Sequence, residues 1–249
     1  MSIVEDYSRQ YRWRAWPTIL DALPAVDGQL VLDLGSGIGD LAADLAARGA
    51  RVIGLDINEE FVTFATQRRI KNAEFRVADL RTFFEPSLRV DGIWSSFTAA
   101  YFPSFRDTAA SWIKHLRPGA WLALTEVDDL FAHQPVLDRT RELLSRYAQD
   151  SVEHSRYDFR MGSKIAAVLE ELDLKLLHNF TVPDQELSFS GQASSEVVAA
   201  WRTRFDRMRL LRDSCGSEFE EIRDDFLNCL TLENHSCTAT MRCVIAVKP

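Results

Sequence analysis

The sequence predicts a doubly wound α/β fold built around a parallel β-sheet, and two features of the chain lead to this prediction. Short apolar runs alternate with helical patterns through the first half of the chain. This alternation is typical of right-handed β–α–β crossovers, which lay successive strands parallel. A glycine-rich turn also follows the first apolar run, as expected where a strand of such a sheet passes into a helix.

Seven segments have the length and apolar content of strands. They are residues 29–34, 51–56, 73–78, 90–95, 120–127, 175–182 and 238–247. Local signals place helices between them: Gly49 can end the helix over 41–48, and Asn58 can cap the next one. Ser104, with Asp107 three residues later, is typical of a capping box that opens a helix to residue 115.

Three segments lie outside this regular alternation. Residues 1–24 precede the first strand and are predicted to be helical. Residues 128–160 and 191–234 are predicted to be helical insertions that form a cap, because apolar side chains recur in them at helical spacing. The clearest examples are Leu143, Leu144 and Tyr147 in the first insertion, and Val197, Trp201, Phe205, Phe219, Ile222, Phe226 and Leu230 in the second. We therefore expect one domain over residues 1–249.

Composition narrows the classes of partner. The formal net charge of −8 argues against a nucleic-acid partner, because nucleic-acid-binding proteins normally present a basic face. The chain has no apolar stretch near the ~20 residues of a membrane span and no visible secretory signal, so we expect no membrane partner and a cytoplasmic location. A monomer and a homodimer both remain open. A group of arginines at mixed helical spacing is interpreted as a solvated surface: Arg202, Arg204, Arg207, Arg209 and Arg212.

The most informative stretch runs from Val31 to Gly39, with the sequence VLDLGSGIG. Glycines at such a turn allow positive φ angles and let a ligand approach the main chain. Dinucleotide-binding enzymes use a similar turn, but Asp33, just before the first glycine, would repel a pyrophosphate. Its carboxylate suits a ligand that carries an ammonium group, and Asp40 stands where the third glycine of a dinucleotide motif belongs.

In these residues the chain resembles the class I S-adenosylmethionine-dependent methyltransferases. Their first motif, Asp-x-Gly-x-Gly-x-Gly, is matched from Asp33 to Gly39, and their acid at the end of strand two is matched by Asp56. An acid after strand three is matched by Asp79, and the segment 116–124 resembles their turn into strand five. The resemblance implies a Rossmann-like doubly wound sheet of about seven strands, mostly parallel with the last strand antiparallel. It also implies S-adenosyl-L-methionine as the methyl donor, S-adenosyl-L-homocysteine as the product, and no metal.

The same resemblance assigns roles to individual residues. It implies that Asp56 accepts hydrogen bonds from the ribose hydroxyls and that Asp79 contacts the adenine amino group. A helix before the domain would cover the cofactor, with an arginine or tyrosine there near the methionine carboxylate. The full expected cofactor set is Tyr11, Arg14, Asp33, Gly35, Ser36, Gly37, Gly39, Asp56, Ile57, Asp79, Leu80 and Ser95.

The methyl acceptor is less well defined by the sequence. The chain lacks the Pro-Pro-Tyr-like element of adenine-amino methyltransferases and the Pro-Cys pair of cytosine-C5 enzymes, which leaves a small-molecule acceptor. Methyl transfer needs a base only when the acceptor must lose a proton, and His133 and Glu126, after or within strand five, are the candidate catalytic residues. The candidate acceptor-binding residues are Tyr101, Phe102, His154 and Arg160.

Three other functions fit parts of the pattern. The same fold could transfer another group from a modified analogue of S-adenosylmethionine. The chain could also bind this cofactor without catalysis, as a ligand-binding or regulatory protein. A dinucleotide-dependent oxidoreductase is disfavoured by Asp33 and by the spacing of the glycines.

Overall fold

The computed structural model describes residues 3–102 and 104–249. Its main sheet has seven strands in the order β3-β2-β1-β4-β5-β9-β7, and β9 runs antiparallel to both of its neighbours. This confirms the predicted doubly wound sheet with an antiparallel last strand. A small sheet pairs β6 with β8. The strands are β1 (Leu30–Leu34), β2 (Arg51–Asp56), β3 (Ala73–Val77), β4 (Val90–Ser96), β5 (Leu116–Asp128), β6 (His133–Gln134), β7 (Lys175–Val182), β8 (Ser236–Cys237) and β9 (Thr240–Val247).

Helices lie on both faces of the sheet and beyond its carboxyl edge. Residues 1–24, predicted to be helical, contain α1 and α2, with Met1 and Ser2 outside the described residues. The helices are α1 (Ile3–Tyr11), α2 (Trp16–Asp21), α3 (Asp40–Ala47), α4 (Glu59–Gln67), α5 (Phe105–Trp112), α6 (Asp138–Glu153), α7 (Met161–Glu171), α8 (Ser195–Arg207), α9 (Arg209–Cys215) and α10 (Phe219–Leu230).

Local signals explain most helix ends. The Asn58 side chain accepts hydrogen bonds from the backbone N–H groups of Glu60 and Phe61, so the predicted cap of α4 is present. Gly49 follows α3 with a φ of +94°, as a residue that ends a helix often does. The capping box predicted at Ser104 is wrong, because its hydroxyl donates to the Asp107 carboxylate rather than accepting a backbone N–H.

Strand β5 begins earlier than the sequence suggested. The strand was predicted to start at residue 120, whereas it starts at Leu116 and includes Pro118 and Gly119, where the pairing with β4 shifts register. Gly119 has a φ of +79°, which glycine adopts without the steric penalty of a side chain. Between the pairs Val90–Leu116 and Gly92–Trp121, β5 contains more residues than β4. The additional residues form an irregularity within β5, and the sheet continues beyond it.

Three apolar cores hold these layers together. Two lie on opposite faces of the sheet, and the third joins α6, α8, α9 and α10 above its carboxyl edge. This third core contains Trp201, Phe205 and Phe226, all fully buried. We call the four helices the roof. The roof matches the predicted helical insertions, although the short helix α9 was not foreseen; one domain over 1–249 stays a prediction.

Candidate active site

A cavity of about 640 Å³ lies between the carboxyl edge of the sheet, helix α1 and the roof. Parallel strands direct their carboxyl ends to one edge, which is where doubly wound sheets bind ligands. Twelve predicted site residues line this cavity: Tyr11, Arg14, Asp33, Gly35, Ser36, Gly37, Asp56, Ile57, Asp79, Leu80, Tyr101 and Phe102. The sheet end of the cavity is rich in carboxylates, and the roof end is rich in aromatic rings.

The turn after β1 requires glycine for two different reasons. A Cβ atom at Gly35 would lie 2.1 Å from the Thr98 hydroxyl oxygen, and the residue has a φ of +76°. At Gly39, a Cβ atom would lie 2.7 Å from the ring of Phe75, so this glycine lets the turn pack against β3. Gly39 does not line the cavity, and its predicted place in the cofactor set is corrected to a packing role.

Asp56 is held rigidly at the end of β2. One carboxylate oxygen accepts a hydrogen bond from the Gly37 N–H at 2.8 Å, and the other accepts one from the Asn58 N–H at 2.8 Å. Each carboxylate oxygen has lone pairs for more than one donor. The side chain can therefore accept two further hydrogen bonds from a ligand without moving.

Asp33 is buried at the same edge, on β1. Its Oδ2 atom has no hydrogen-bond partner among the described residues. Burial, and then the charge of Asp56, raise the pKa of Asp33 to about 8. Buried polar atoms are normally satisfied, so this orphan oxygen and the glycine turn beside it fit a ligand that brings an ammonium group.

Asp79 also faces the cavity, and its carboxylate is bonded to the neighbouring Arg81 side chain. The Arg81 Nη2 lies 2.6 Å from Asp79 Oδ2. Arg81 itself lines the cavity and was not predicted. The predicted Ser95 lies elsewhere: its hydroxyl donates to the Leu34 carbonyl between strands, and the adjacent Ser96 lines the cavity instead.

Helix α1 covers the sheet end of the cavity. The Tyr11 hydroxyl donates to the carboxylate of Asp44 on α3, which fastens the helix to the sheet layer. The Tyr7 ring packs on Phe61 of α4 with ring centroids 4.9 Å apart. The position of α1 matches the covering helix that the resemblance implied.

Arg14 reaches the cavity but is engaged elsewhere. Its guanidinium nitrogens lie 2.9 Å from Asp184 and 2.7 Å from Glu186, and all three side chains are buried. Burial would raise the pKa of Glu186, but the charges of Arg204 and Arg14 lower it to about 2. Arg14 was expected to bind the methionine carboxylate of the cofactor. In the structure it instead pairs with two carboxylates of the protein, Asp184 and Glu186, which corrects that expectation.

Arg204 is a cavity residue that sequence analysis missed. The other four arginines of its group are exposed as predicted, whereas Arg204 lines the cavity and is only partly exposed. Its Nη2 atom lies 2.6 Å from Glu186 Oε1. The interpretation as a solvated surface is wrong at this position. Helical spacing alone could not identify it, since Glu186 lies on a separate loop.

Two tyrosines form the wall of the roof end. Tyr101 and Tyr157 meet edge to face with ring centroids 4.8 Å apart. Tyr101 was predicted and Tyr157 was missed, although it stands between the candidates His154 and Arg160. Those two candidates point outward: side chains of His154 and Arg160 are 60% and 69% exposed and pair with Asp150 and Asp129. Neither lines the cavity, which corrects their assignment.

Glu126 lies buried in β5, behind the cavity wall. Its Oε1 accepts a hydrogen bond from the Ala100 N–H at 3.3 Å, in the turn that carries Tyr101. Burial raises the pKa of Glu126 to about 8, against hydrogen bonds from this turn that lower it. Because Glu126 does not line the cavity, the structure favours a positioning role for it over the predicted catalytic one.

His133 is buried under the roof, outside the cavity. Its Nδ1 lies 2.9 Å from Nε2 of His235, whose own Nδ1 lies 2.8 Å from the Gly191 carbonyl. The two rings stack with centroids 5.2 Å apart. Burial and then His235 lower the pKa of His133 to about 3. A neutral imidazole enclosed in this way cannot reach an acceptor, so the predicted base is corrected to a structural residue.

Two negative findings apply to the described ranges alone. No group of three or more His, Cys, Asp or Glu residues there is arranged to hold a metal ion. In the same ranges, none of the helices combines the length and apolar character needed to cross a membrane.

Comparisons with known proteins agree with this geometry. A methyltransferase-domain family model matches residues 31–119. Trans-aconitate 2-methyltransferase from Azoarcus sp. is 35% identical over a segment covering 45% of this chain and 45% of that protein. The chain thus spans about half the length of this relative.

Two further matches extend over a larger share of the matched protein. The uncharacterized methyltransferase YrrT of Bacillus subtilis is 30% identical over 55% of this chain and 68% of its own length. A solved S-adenosylmethionine-dependent methyltransferase from Mesorhizobium loti covers 94% of this chain and 97% of its own, with a TM-score of 0.57 and 17% identity. That structure shows a shared fold. The motif residues around the cavity, the family model and these relatives agree, and the chain belongs to the class I S-adenosylmethionine-dependent methyltransferase family.

Proposed function

We propose that the protein transfers the methyl group of S-adenosylmethionine to an oxygen or nitrogen atom of a small metabolite or natural product, with carbon as the less favoured target. The observation that carries this proposal is a single cavity with two distinct ends. Its sheet end offers Asp33, Asp56 and Asp79, and its roof end offers Tyr101 and Tyr157. Two ligands of different chemistry can therefore lie side by side in one continuous cavity.

The residues of the sheet end fit the methyl donor. We propose that Asp56 accepts the ribose hydroxyls, Asp33 the ammonium group and Asp79 the adenine amino group. When bound, the donor supplies a methyl group on a sulfonium, which is already activated, so the chain mainly has to orient the two reactants. Because the sulfonium is already an activated leaving group, its departure needs no metal, and we propose a reaction without one.

The size of the cavity supports a small acceptor. A volume of about 640 Å³ lies in the range of sites for small molecules and cofactors. One relative is named for methylation of trans-aconitate, a small molecule, and this adds support to the same class of acceptor. Partnership with small molecules, location in the cytoplasm, and a monomeric or homodimeric state stay predictions.

The test is an activity screen with methyl-labelled S-adenosylmethionine and a panel of amines, phenols and carboxylic acids. We expect acceptor-dependent formation of S-adenosylhomocysteine by the native protein. The Asp56→Ala variant should lose this activity at low donor concentration, whereas Asp138→Ala, at an exposed carboxylate on α6, should retain it. Calorimetry that detects no binding of either S-adenosylmethionine or S-adenosylhomocysteine would contradict the proposal.

Two alternatives make different predictions in the same experiment. A protein that uses a modified donor would give an acceptor product whose mass increases by a group other than methyl. A non-catalytic binding protein would bind the donor and release no product with any member of the panel. Product mass and donor affinity together separate these three functions.

A further inference from the structure

We propose that the roof end of the cavity binds an anionic group of the methyl acceptor, either a carboxylate or a phosphate. This inference rests on the proposed function and specifies its substrate class. The anion would lie beside the Arg204 guanidinium and the hydroxyl groups of Tyr101 and Tyr157. Both tyrosines line the cavity together with Arg204.

Arg204 is held in place rather than free on a flexible stem. Its Nη2 atom bonds to Glu186 at 2.6 Å, and its guanidinium carbon lies 5.2 Å from the ring centroid of Trp201. Its Nε atom is buried and has no hydrogen-bond partner among the described residues. Arg204 therefore presents a guanidinium group of fixed orientation at the cavity, which suits recognition of a charged oxygen atom.

The surrounding charges leave Arg204 able to attract an anion. Glu186 is shared between Arg204 and Arg14, so its single charge is divided between two guanidinium groups. Asp184 pairs with Arg14 and also accepts the backbone N–H groups of Glu186 and Leu187. The four side chains carry no net charge, so the charge of Arg204 is balanced within this group and no excess negative charge surrounds it.

The carboxyl group of Glu126, which acts on both tyrosines, does not oppose an anion. Burial raises the pKa of Glu126 to about 8, so this side chain is mostly protonated at neutral pH. It stands behind the wall formed by Tyr101 and Tyr157. Asp33, Asp56 and Asp79 lie instead at the sheet end of the cavity.

The tyrosine hydroxyls supply the other hydrogen bonds. Burial raises the pKa of Tyr157 well above its usual value, so the phenol remains protonated and can donate. Its ring meets Tyr101 edge to face at 4.8 Å, which fixes the two side chains relative to each other. Hydrogen bonds from O–H and N–H groups to a charged oxygen are roughly twice as strong as neutral ones.

The test compares charged and neutral probes on protein saturated with S-adenosylhomocysteine. Ligand-observed NMR measures the affinity of benzoate against benzamide, succinate against succinamide, and phenyl phosphate against phenol. We expect charged members to bind at least about tenfold more tightly, as a hydrogen-bonded charge contributes about 1.5–3 kcal/mol. Comparison of the carboxylate probes, benzoate and succinate, with phenyl phosphate shows whether the site prefers a carboxylate or a phosphate.

Variants connect this preference to the named side chains. Arg204→Gln should reduce the affinity for the preferred charged probe by about tenfold or more, with the affinity for S-adenosylhomocysteine unchanged. Arg202→Gln is the matched control, because Arg202 lies on the same helix but pairs with Asp224 and does not line the cavity. Should Arg204→Gln fail to fold, Tyr101→Phe and Tyr157→Phe each remove one hydroxyl and should weaken the charged probe by about two- to fivefold.

Two results would overturn the inference. In the first, the protein still binds S-adenosylhomocysteine, but the charged probes bind no more tightly than their neutral counterparts or do not bind at all. The other is a preference for charged probes that survives in all the variants at Arg204, Tyr101 and Tyr157. Loss of S-adenosylhomocysteine binding by the native protein would instead contradict the proposed function itself, so the two failures are distinguishable.

Discussion

At the sheet end of the cavity, polar groups come from short segments of chain that follow consecutive strands. Asp33 lies near the end of β1 and Gly37 in the turn that follows it, and Asp56 bonds to the backbone of this turn and of the turn after β2. At the roof end, the partners are distant in sequence: Arg14 meets Asp184 and Glu186. One end is therefore encoded locally, and the other is assembled only when the whole chain folds.

This difference separates two roles within one cavity. A locally encoded turn can present backbone N–H groups and carboxylates in a fixed geometry, which suits a donor shared by a whole family. A roof built from helices α6, α8, α9 and α10 can change its lining residues without altering the sheet. We expect substitutions at the two ends to have separable effects, with donor binding controlled at the sheet and acceptor selection at the roof.

The largest effect is expected at Gly35. Gly35→Ala combines a positive φ with a Cβ atom only 2.1 Å from the Thr98 hydroxyl oxygen, whereas Gly28 has a φ of +73° and nothing within 4 Å. Gly28→Ala should destabilise the fold by about 1 kcal/mol through backbone strain. Gly35→Ala should add about 1–3 kcal/mol more through the clash, as measured by urea denaturation. Equal losses in both variants would show that the turn is not tightly packed.

A smaller effect, on affinity rather than folding, is expected at Asp56. Asp56→Ala removes a carboxylate that could accept two ribose hydroxyls, and it also frees the Gly37 N–H. We expect the Kd for S-adenosylhomocysteine to rise about 10- to 100-fold, because hydrogen bonds to a charged group contribute about 1.5–3 kcal/mol. Calorimetry provides the measurement, with Asp138→Ala as control. An unchanged Kd would place the donor elsewhere in the cavity.

The smallest effect concerns the stability of the roof in acid. His133 and His235 both have lowered pKa values because burial disfavours their charged forms. The folded protein keeps them neutral, whereas the unfolded chain binds protons below about pH 6.5. Their contribution to stability is therefore complete above that pH and is lost as the pH falls toward about 3, the pKa of folded His133.

A comparison of variants isolates this contribution from other acid-sensitive groups. The free energy of unfolding of the native protein should fall more steeply between pH 6.5 and pH 4 than that of His133→Asn/His235→Asn, by on the order of 1 kcal/mol. His154→Asn removes an exposed histidine and should leave the native slope unchanged. Parallel curves for all three proteins would contradict the buried neutral pair.

Sequence analysis succeeded where the determining contacts are local. The seven main strands, the Asn58 cap and the turn from Asp33 to Gly37 all depend on residues a few positions apart, and the structure has them near the predicted positions, although β5 starts four residues earlier. These features also carry the family resemblance. Periodicity was sufficient for the roof helices α6, α8 and α10 as well, because each of them buries an apolar face, whereas the short helix α9 was missed.

The errors arose where a side chain depends on a distant partner. Arg14 was assigned to a ligand because its partners Asp184 and Glu186 come from a loop far along the chain. His133 was assigned as a base because its neighbour His235 could not be foreseen. Arg204 was counted with surface arginines for the same reason. Residue type and helical spacing do not reveal such pairings, whereas a folded structure does.

The most direct test of the account is proton release on donor binding at Asp33. Its pKa of about 8 means that the carboxyl group is about nine-tenths protonated at pH 7, and an ammonium group beside it favours the ionised form. Titration of S-adenosylhomocysteine at pH 7, in two buffers with different ionisation enthalpies, measures the protons released. The account predicts release of nearly one proton by the native protein and almost none by Asp33→Asn. Absence of binding, or equal release by the two proteins, would contradict it.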